Sequence, residues 1–161
     1  MPVKKGDLFF ITAGTLHAIG GGILIAEVQQ NSNSTYRVYD FGRVGADGKP
    51  RELHIDKAID VTRIEKPTIP YGNVGTVTDF AWGSERELAS CDLFTAKILK
   101  INDQTEIYCK ESFVSLVVLD GEITLTYQGG EIKAKKGSSI FIPADYKTEI
   151  SGEGELLYSR V

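Results

Sequence analysis

Residues 6–40 read GDLFFITAGTLHAIGGGILIAEVQQNSNSTYRVYD, and their pattern decides how the rest of the chain is read. Leu8, Phe9, Phe10 and Ile11 form a short apolar run suited to a buried strand. Ala13, Gly14 and Thr15 read as a turn, with Gly14 free to take a positive φ. His17 opens a new segment just after that turn. Past the three glycines at 20–22, residues 23–30 read as a second strand, with Ile23, Ile25, Glu27 and Gln29 on one face and the alternate residues on the other. That first face turns from apolar to polar along its length, as a barrel wall does where packed core gives way to a site.

The spacing around His17 is similar to the second half-motif of the cupin barrel, G-x5-P-x-G-x2-H-x3-N, with Thr12 at the proline position and Gly21 at the asparagine. Three linked blocks narrow the likeness: AGTLHAIG at 13–20, IAEVQQNS at 25–32 and TYRVYD at 35–40, continued by GRVGADGKPRELH at 42–54. In this order they resemble the C-terminal half of type I mannose-6-phosphate isomerases of the short bacterial kind. The resemblance implies cupin-like jelly-roll barrels, and an activity that interconverts mannose 6-phosphate and fructose 6-phosphate through an enediol. It also implies a zinc cofactor with His17 as one of four ligands. The other three, a glutamine, a second histidine and a glutamate, come from the family's upstream half, as do a lysine and the base that moves the proton.

Each candidate has a plainer reading beside the functional one. His17 as a metal ligand competes with a hydrogen-bonded histidine in a turn. Arg37 follows Asn31-Ser32 at the spacing of the family's N-S-x4-R block, whose arginine points into the site, so the resemblance assigns it a catalytic role. A permanently charged planar fork there would hold an enediolate oxygen; an exposed arginine in a surface ion pair is the alternative. Glu27 is expected to contact substrate, because a carboxylate on a strand face needs a partner and Arg37 or a sugar hydroxyl would supply one; a rim residue paired with Arg37 is the bland version. Asn31 joins the substrate-binding set, and His54 stays outside the metal set.

One imidazole does not make a zinc site, which takes three or four protein ligands. The 161 residues contain two histidines and no Q-x-H, so the expectation is a C-terminal fragment holding one quarter of the metal shell and inactive alone.

Bulk properties exclude several classes. At 42% hydrophobic and 25% charged, the chain is an ordinary globular one, and its net charge of −4 without a basic run argues against nucleic-acid partners. No apolar stretch has membrane-spanning length, and the N-terminal residues lack a signal-peptide pattern, so no membrane partner and a cytoplasmic location are expected. Cys91 and Cys109 form no C-x-x-C and read as reduced structural thiols.

The domain reading has three parts. Residues 1–66 are the end of a metal-binding cupin barrel with a short helix from His54 to Val61. Residues 67–90, broken by Pro67, Pro70 and Gly72, are an irregular connector. Residues 91–161 are a second, metal-free jelly-roll domain, with strands expected at 93–101, 113–119, 122–128, 131–134, 139–142 and 155–160 and a hairpin at Gly129-Gly130. Its copy of the half-motif is degenerate: counting from Gly137 puts Thr148 at the histidine position, and Val114 stands where a glutamate would. The fold class is therefore mainly β, an incomplete catalytic cupin portion followed by a degenerate second cupin. Two other functions stay open. One is a non-catalytic cupin that binds sugar phosphate without zinc. The other is an interaction module that self-associates through an open barrel edge.

Overall fold

The computed structural model describes residues 1–32, 34–66 and 69–161; Pro67, read above as a chain breaker, lies outside them. In chain order the elements are α1 (Ile55–Val61), β1 (Val77–Phe80), β2 (Gly83–Ser90), β3 (Thr95–Ile101), β4 (Thr105–Ile107), β5 (Val114–Tyr127), β6 (Gly130–Lys135), β7 (Ser139–Ile142) and β8 (Thr148–Arg160). The described residues fall into two compact units, one of Met1–Leu8 with Gly72–Val161, the other Phe9–Tyr71.

The larger unit is an antiparallel sheet in the order β1-β2-β3-β8-β5-β6, with β4 added to β8 and β7 to β5. Its spine is the β5–β8 pair, in register from Val114 opposite Arg160 to Thr126 opposite Glu149. On its other side β5 pairs first with β7 and then with β6. β8 likewise pairs first with β4 and then with β3. Two long strands that change partners halfway must bend there, and the sequence provides for it. A register shift falls between Val118 and Asp120, and Gly121 follows at φ 78°. A Cβ on Gly121 would lie 2.2 Å from the Glu153 carbonyl oxygen, so the close crossing of the two strands requires glycine.

The bulge explains a phase change in the sequence. Val114, Leu116 and Val118 are buried at even positions, and Ile123 and Leu125 at odd ones, yet all five face the same core. Read as strict alternation this looks like two strands, which is why 113–119 and 122–128 were expected separately; they are one strand, β5. The core is completed by Ile101, Ile150 and Leu156, each fully buried. The hairpin after β5 turns on Gln128 and Gly129, one residue earlier than expected, because Gly130 already pairs with Tyr127.

Two expectations are corrected. The irregular connector does not extend to residue 90: β1 and β2 occupy 77–80 and 83–90 and join the sheet. Their residues are mostly polar or small, so hydrophobic periodicity gives no signal, and the strands exist through pairing with β3. Conversely, the strands read at 8–11 and 23–30 do not form. Leu8 makes only an isolated bridge to Gly72, and Leu24 is 95% exposed. A strand is held by its ladder, and no described residue pairs with 23–30.

In the smaller unit, α1 lies where the sequence placed a helix, with Asp56 in its first turn and Ala58 buried. The loop after Phe41 closes at Asp47-Gly48, where Gly48 takes φ 73° and Val44 bridges Pro50.

Candidate functional site

His17 is positioned by the turn before it. The Thr15 amide donates to the Thr12 carbonyl at 3.1 Å, and the two threonine hydroxyls lie 3.1 Å apart. Gly14 takes φ 86°, as its place in the sequence suggested. Its carbonyl accepts from the Arg63 amide at 2.9 Å, and a Cβ there would meet the Val61 carbonyl at 2.6 Å, so only glycine lets this turn lie against the end of α1. The His17 side chain is exposed, and its Nδ1 lies 2.8 Å from the Thr15 carbonyl oxygen. A carbonyl only accepts, so Nδ1 is the donor in this contact, and in the neutral ring Nε2 is the nitrogen left with a lone pair. Metal-ligating histidines are oriented in this way.

Arg37 sits in a more built-up setting. Its amide donates to His54 Nδ1 at 3.2 Å while the His54 amide donates to the Arg37 carbonyl at 2.7 Å, a reciprocal pair between segments far apart in sequence. The guanidinium donates to the Glu52 carbonyl at 3.0 Å, and its Nε lies 3.8 Å from Asp40. Asp40 also receives two hydrogen bonds from Arg51. The Arg51 hydrogen bonds chiefly, with the charges of Arg51, Arg37 and Arg43, hold the Asp40 carboxyl below its usual range, and the same contact raises Arg51. One carboxylate thus answers three guanidiniums, and the cluster keeps a net positive charge.

This clamp has a testable acid signature. Because the folded Asp40 titrates below its ordinary 3.8, its contribution to stability is present above that value and is lost as pH falls through the lower, folded midpoint. Carboxyl NMR titration should place the Asp40 midpoint below 3.8, and Arg51→Met should move it upward. A midpoint that ignores Arg51→Met would mean the pair does not hold in solution.

Glu27 and Asn31 are exposed. Among the described residues, no hydrogen bond or ion pair joins His17, Glu27 or Asn31 to Arg37; the plainer reading of Glu27 as a rim partner of Arg37 is not what is seen, and Asp40 is the carboxylate beside the guanidinium. Asp40 and Arg51 are the part that sequence reasoning missed, whereas His54, kept out of the metal set as a substrate or structural contact, is tied to Arg37. The signal was present in Asp40 three residues after Arg37 and in the run Arg51-Glu52-Leu53-His54. No cluster of three or more histidine, cysteine or acidic residues able to hold a metal occurs among the described residues. His17 fits one zinc ligand, but a shell does not, so no chemical step is derived through the metal. In the larger unit, Thr148 and Val114 are buried to 4% and 1% exposure in the sheet interior.

Comparison with known proteins gives a consistent picture. Residues 84–161 match the family model described as mannose-6-phosphate isomerase, cupin domain. The chain is 35% identical over 161 residues to the mannose-6-phosphate isomerase of Streptococcus mutans, covering 99% of this chain and 50% of that protein. Against mannose-6-phosphate isomerase ManA of Bacillus subtilis it is 35% identical over 162 residues, again covering 99% and 50%. The crystal structure of a mannose 6-phosphate isomerase from Bacillus subtilis superposes with a TM-score of 0.69 at 29% identity, covering 82% of this chain and 42% of that one. The chain spans about half the length of the curated relatives it matches.

Proposed function

Since the chain belongs with the mannose-6-phosphate isomerases as the counterpart of their C-terminal half, with their cupin domain at residues 84–161, we propose that it carries part of an aldose–ketose isomerase site. The substrate is mannose 6-phosphate and the product fructose 6-phosphate. His17 contributes one zinc ligand, Arg37 steadies the enediolate oxygen as a proton moves between C2 and C1, and Glu27 and Asn31 contact sugar hydroxyls. The net positive cluster of Arg37, Arg43 and Arg51 around Asp40 suits an anionic sugar phosphate. The setting is cytoplasmic, where phosphorylated sugars are metabolised.

The observation that carries this reading is the Thr15–His17 hydrogen bond, which leaves Nε2 free to ligate. Within these residues, His17 offers a fixed tautomer and the Asp40–Glu52 frame fixes a guanidinium. Because the remaining ligands and the base are not among the 161 residues, we expect these residues alone to turn over negligible substrate.

Zinc titration of the purified chain against a chromophoric chelator tests the ligand count. No tight one-to-one binding is expected. Tight binding that disappears in His17→Ala would show that the shell is completed within this chain or by a second copy, and the quarter-shell reading would be wrong. A parallel titration with mannose 6-phosphate, followed by 31P NMR without zinc, separates the alternatives: saturable binding would favour a non-catalytic sugar-phosphate-binding cupin.

A further inference from the structure

The larger unit has its own cavity of about 290 Å³, opening among β1, β2, β3, β4 and β8. It lies where the core face of the sheet changes character. Along β3, Ile101 is fully buried, Leu99 is 4% exposed, and Lys97, next on the same face, is only part-buried. Packed hydrocarbon therefore gives way to charge within two residue pairs, on the inner wall of a barrel-like sheet, a common place for small-molecule sites. None of the residues proposed above for isomerisation lines it.

Its chemistry is specific. Phe80 and Trp82 line the cavity as a stacked pair, with ring centroids 5.0 Å apart and planes 6° apart. Tyr108 and Tyr158 add two more rings, and burial pushes the Tyr158 hydroxyl up, keeping it a protonated donor. Beside Tyr158 in the sheet, Lys97 forms an ion pair with Glu85 at 3.0 Å, each side chain about a quarter exposed. An ammonium has three donors and a carboxylate about four acceptor sites, so one mutual contact leaves both with capacity turned to the cavity. The other charge in the lining, Glu106, is paired with Lys147 at 3.3 Å. No unpaired cation is therefore supplied for a phosphate, and no unpaired carboxylate for an ammonium.

We propose that this cavity binds a neutral polyhydroxylated ring of monosaccharide size, an unphosphorylated hexose. The C–H-rich face of a pyranose meets one of the electron-rich rings that line the cavity. A pair of adjacent hydroxyls, each both donor and acceptor, bridges Lys97 and Glu85. At 290 Å³ the volume sits at the lower edge of the range of about 300–1,000 Å³ for small-molecule pockets, enough for one sugar ring.

The chain has a single tryptophan, and it lines the cavity, so its fluorescence reports occupancy directly. Titration of the full chain with D-mannose, D-glucose and D-fructose should give a saturable change for at least one of them. Glu85→Gln and Lys97→Met should each weaken that binding about 10- to 100-fold, the effect of losing a charged hydrogen bond. Near-UV circular dichroism checks that each variant is folded; if one is not, the other carries the test. His17→Ala should leave the titration unchanged, which separates this site from the isomerase reading. The proposal fails if no hexose gives a saturable change, or if binding survives both cavity substitutions. It also fails if mannose 6-phosphate binds tenfold more tightly than mannose, or if tetramethylammonium alone perturbs Trp82.

Discussion

Leu156→Ala is expected to lower the unfolding free energy of the larger unit by about 3–4 kcal/mol. Leu156 is fully buried and stands opposite Leu99 on β3 and Val118 on β5, so its side chain bridges the two halves of the sheet at the middle of the spine. Removing it deletes the transfer energy of three carbons and leaves a cavity that two paired strands cannot collapse into. Urea unfolding should show a midpoint lowered by roughly 1–3 M with an unchanged slope. Leu24→Ala is the matched control: Leu24 is 95% exposed, and its loss should stay within about 0.5 kcal/mol. If Leu24→Ala were the costlier of the two, residues 23–30 would be a packed strand after all.

That contrast also marks what was legible in the sequence. The β-rich C-terminal region, the short helix at Ile55–Val61 and the Asp47-Gly48 turn were readable because each has a local signal: alternation, an acidic first turn, a glycine at positive φ. The first half of β8 was not, since residues 148–154 read TEISGEG and look like a loop; they form a strand because β5 and β4 flank them. β1 and β2 failed for the same reason. Residues 23–30 failed in the opposite sense, with an apolar run suited to a strand and no pairing partner among the described residues. Local pattern states a willingness to be a strand, and pairing decides it.

The site divides along similar lines. His17 could be singled out from its spacing and its family likeness, and the turn that orients it is encoded in Thr12, Gly14 and Thr15 within five residues. Most of the frame around Arg37 was hidden because it joins distant segments: Glu52 and His54 reach it from across the 41–51 loop, and only Asp40, three residues on, carried a local signal. The cavity of the larger unit was hidden more completely. Its ion pair joins Glu85 and Lys97 on neighbouring strands, and one of those strands lay in a segment read as irregular.

Arg37 is where the largest effect on turnover is expected. In a protein that joins these residues to the upstream half of a mannose-6-phosphate isomerase, Arg37→Lys should lower kcat/KM about a hundredfold or more, the usual effect of losing a preorganised donor at a developing oxyanion. The reason is geometric. The guanidinium is tied to the Glu52 carbonyl and set beside Asp40, and its planar fork still has donors to offer a substrate oxygen. A lysine ammonium is a single point on a flexible stem and cannot span those partners at a fixed angle. Charge alone is kept by the substitution, so a loss in kcat with a smaller change in KM would identify orientation as the cause. Asp40→Asn should move kcat in the same direction by less, because Arg37 keeps its Glu52 contact while Arg51 loses the ionised partner that anchors the cluster. Full activity in Arg37→Lys would remove Arg37 from the catalytic set, and the reciprocal hydrogen bonds with His54 would then be a device for joining two loops rather than for presenting a charge to a sugar.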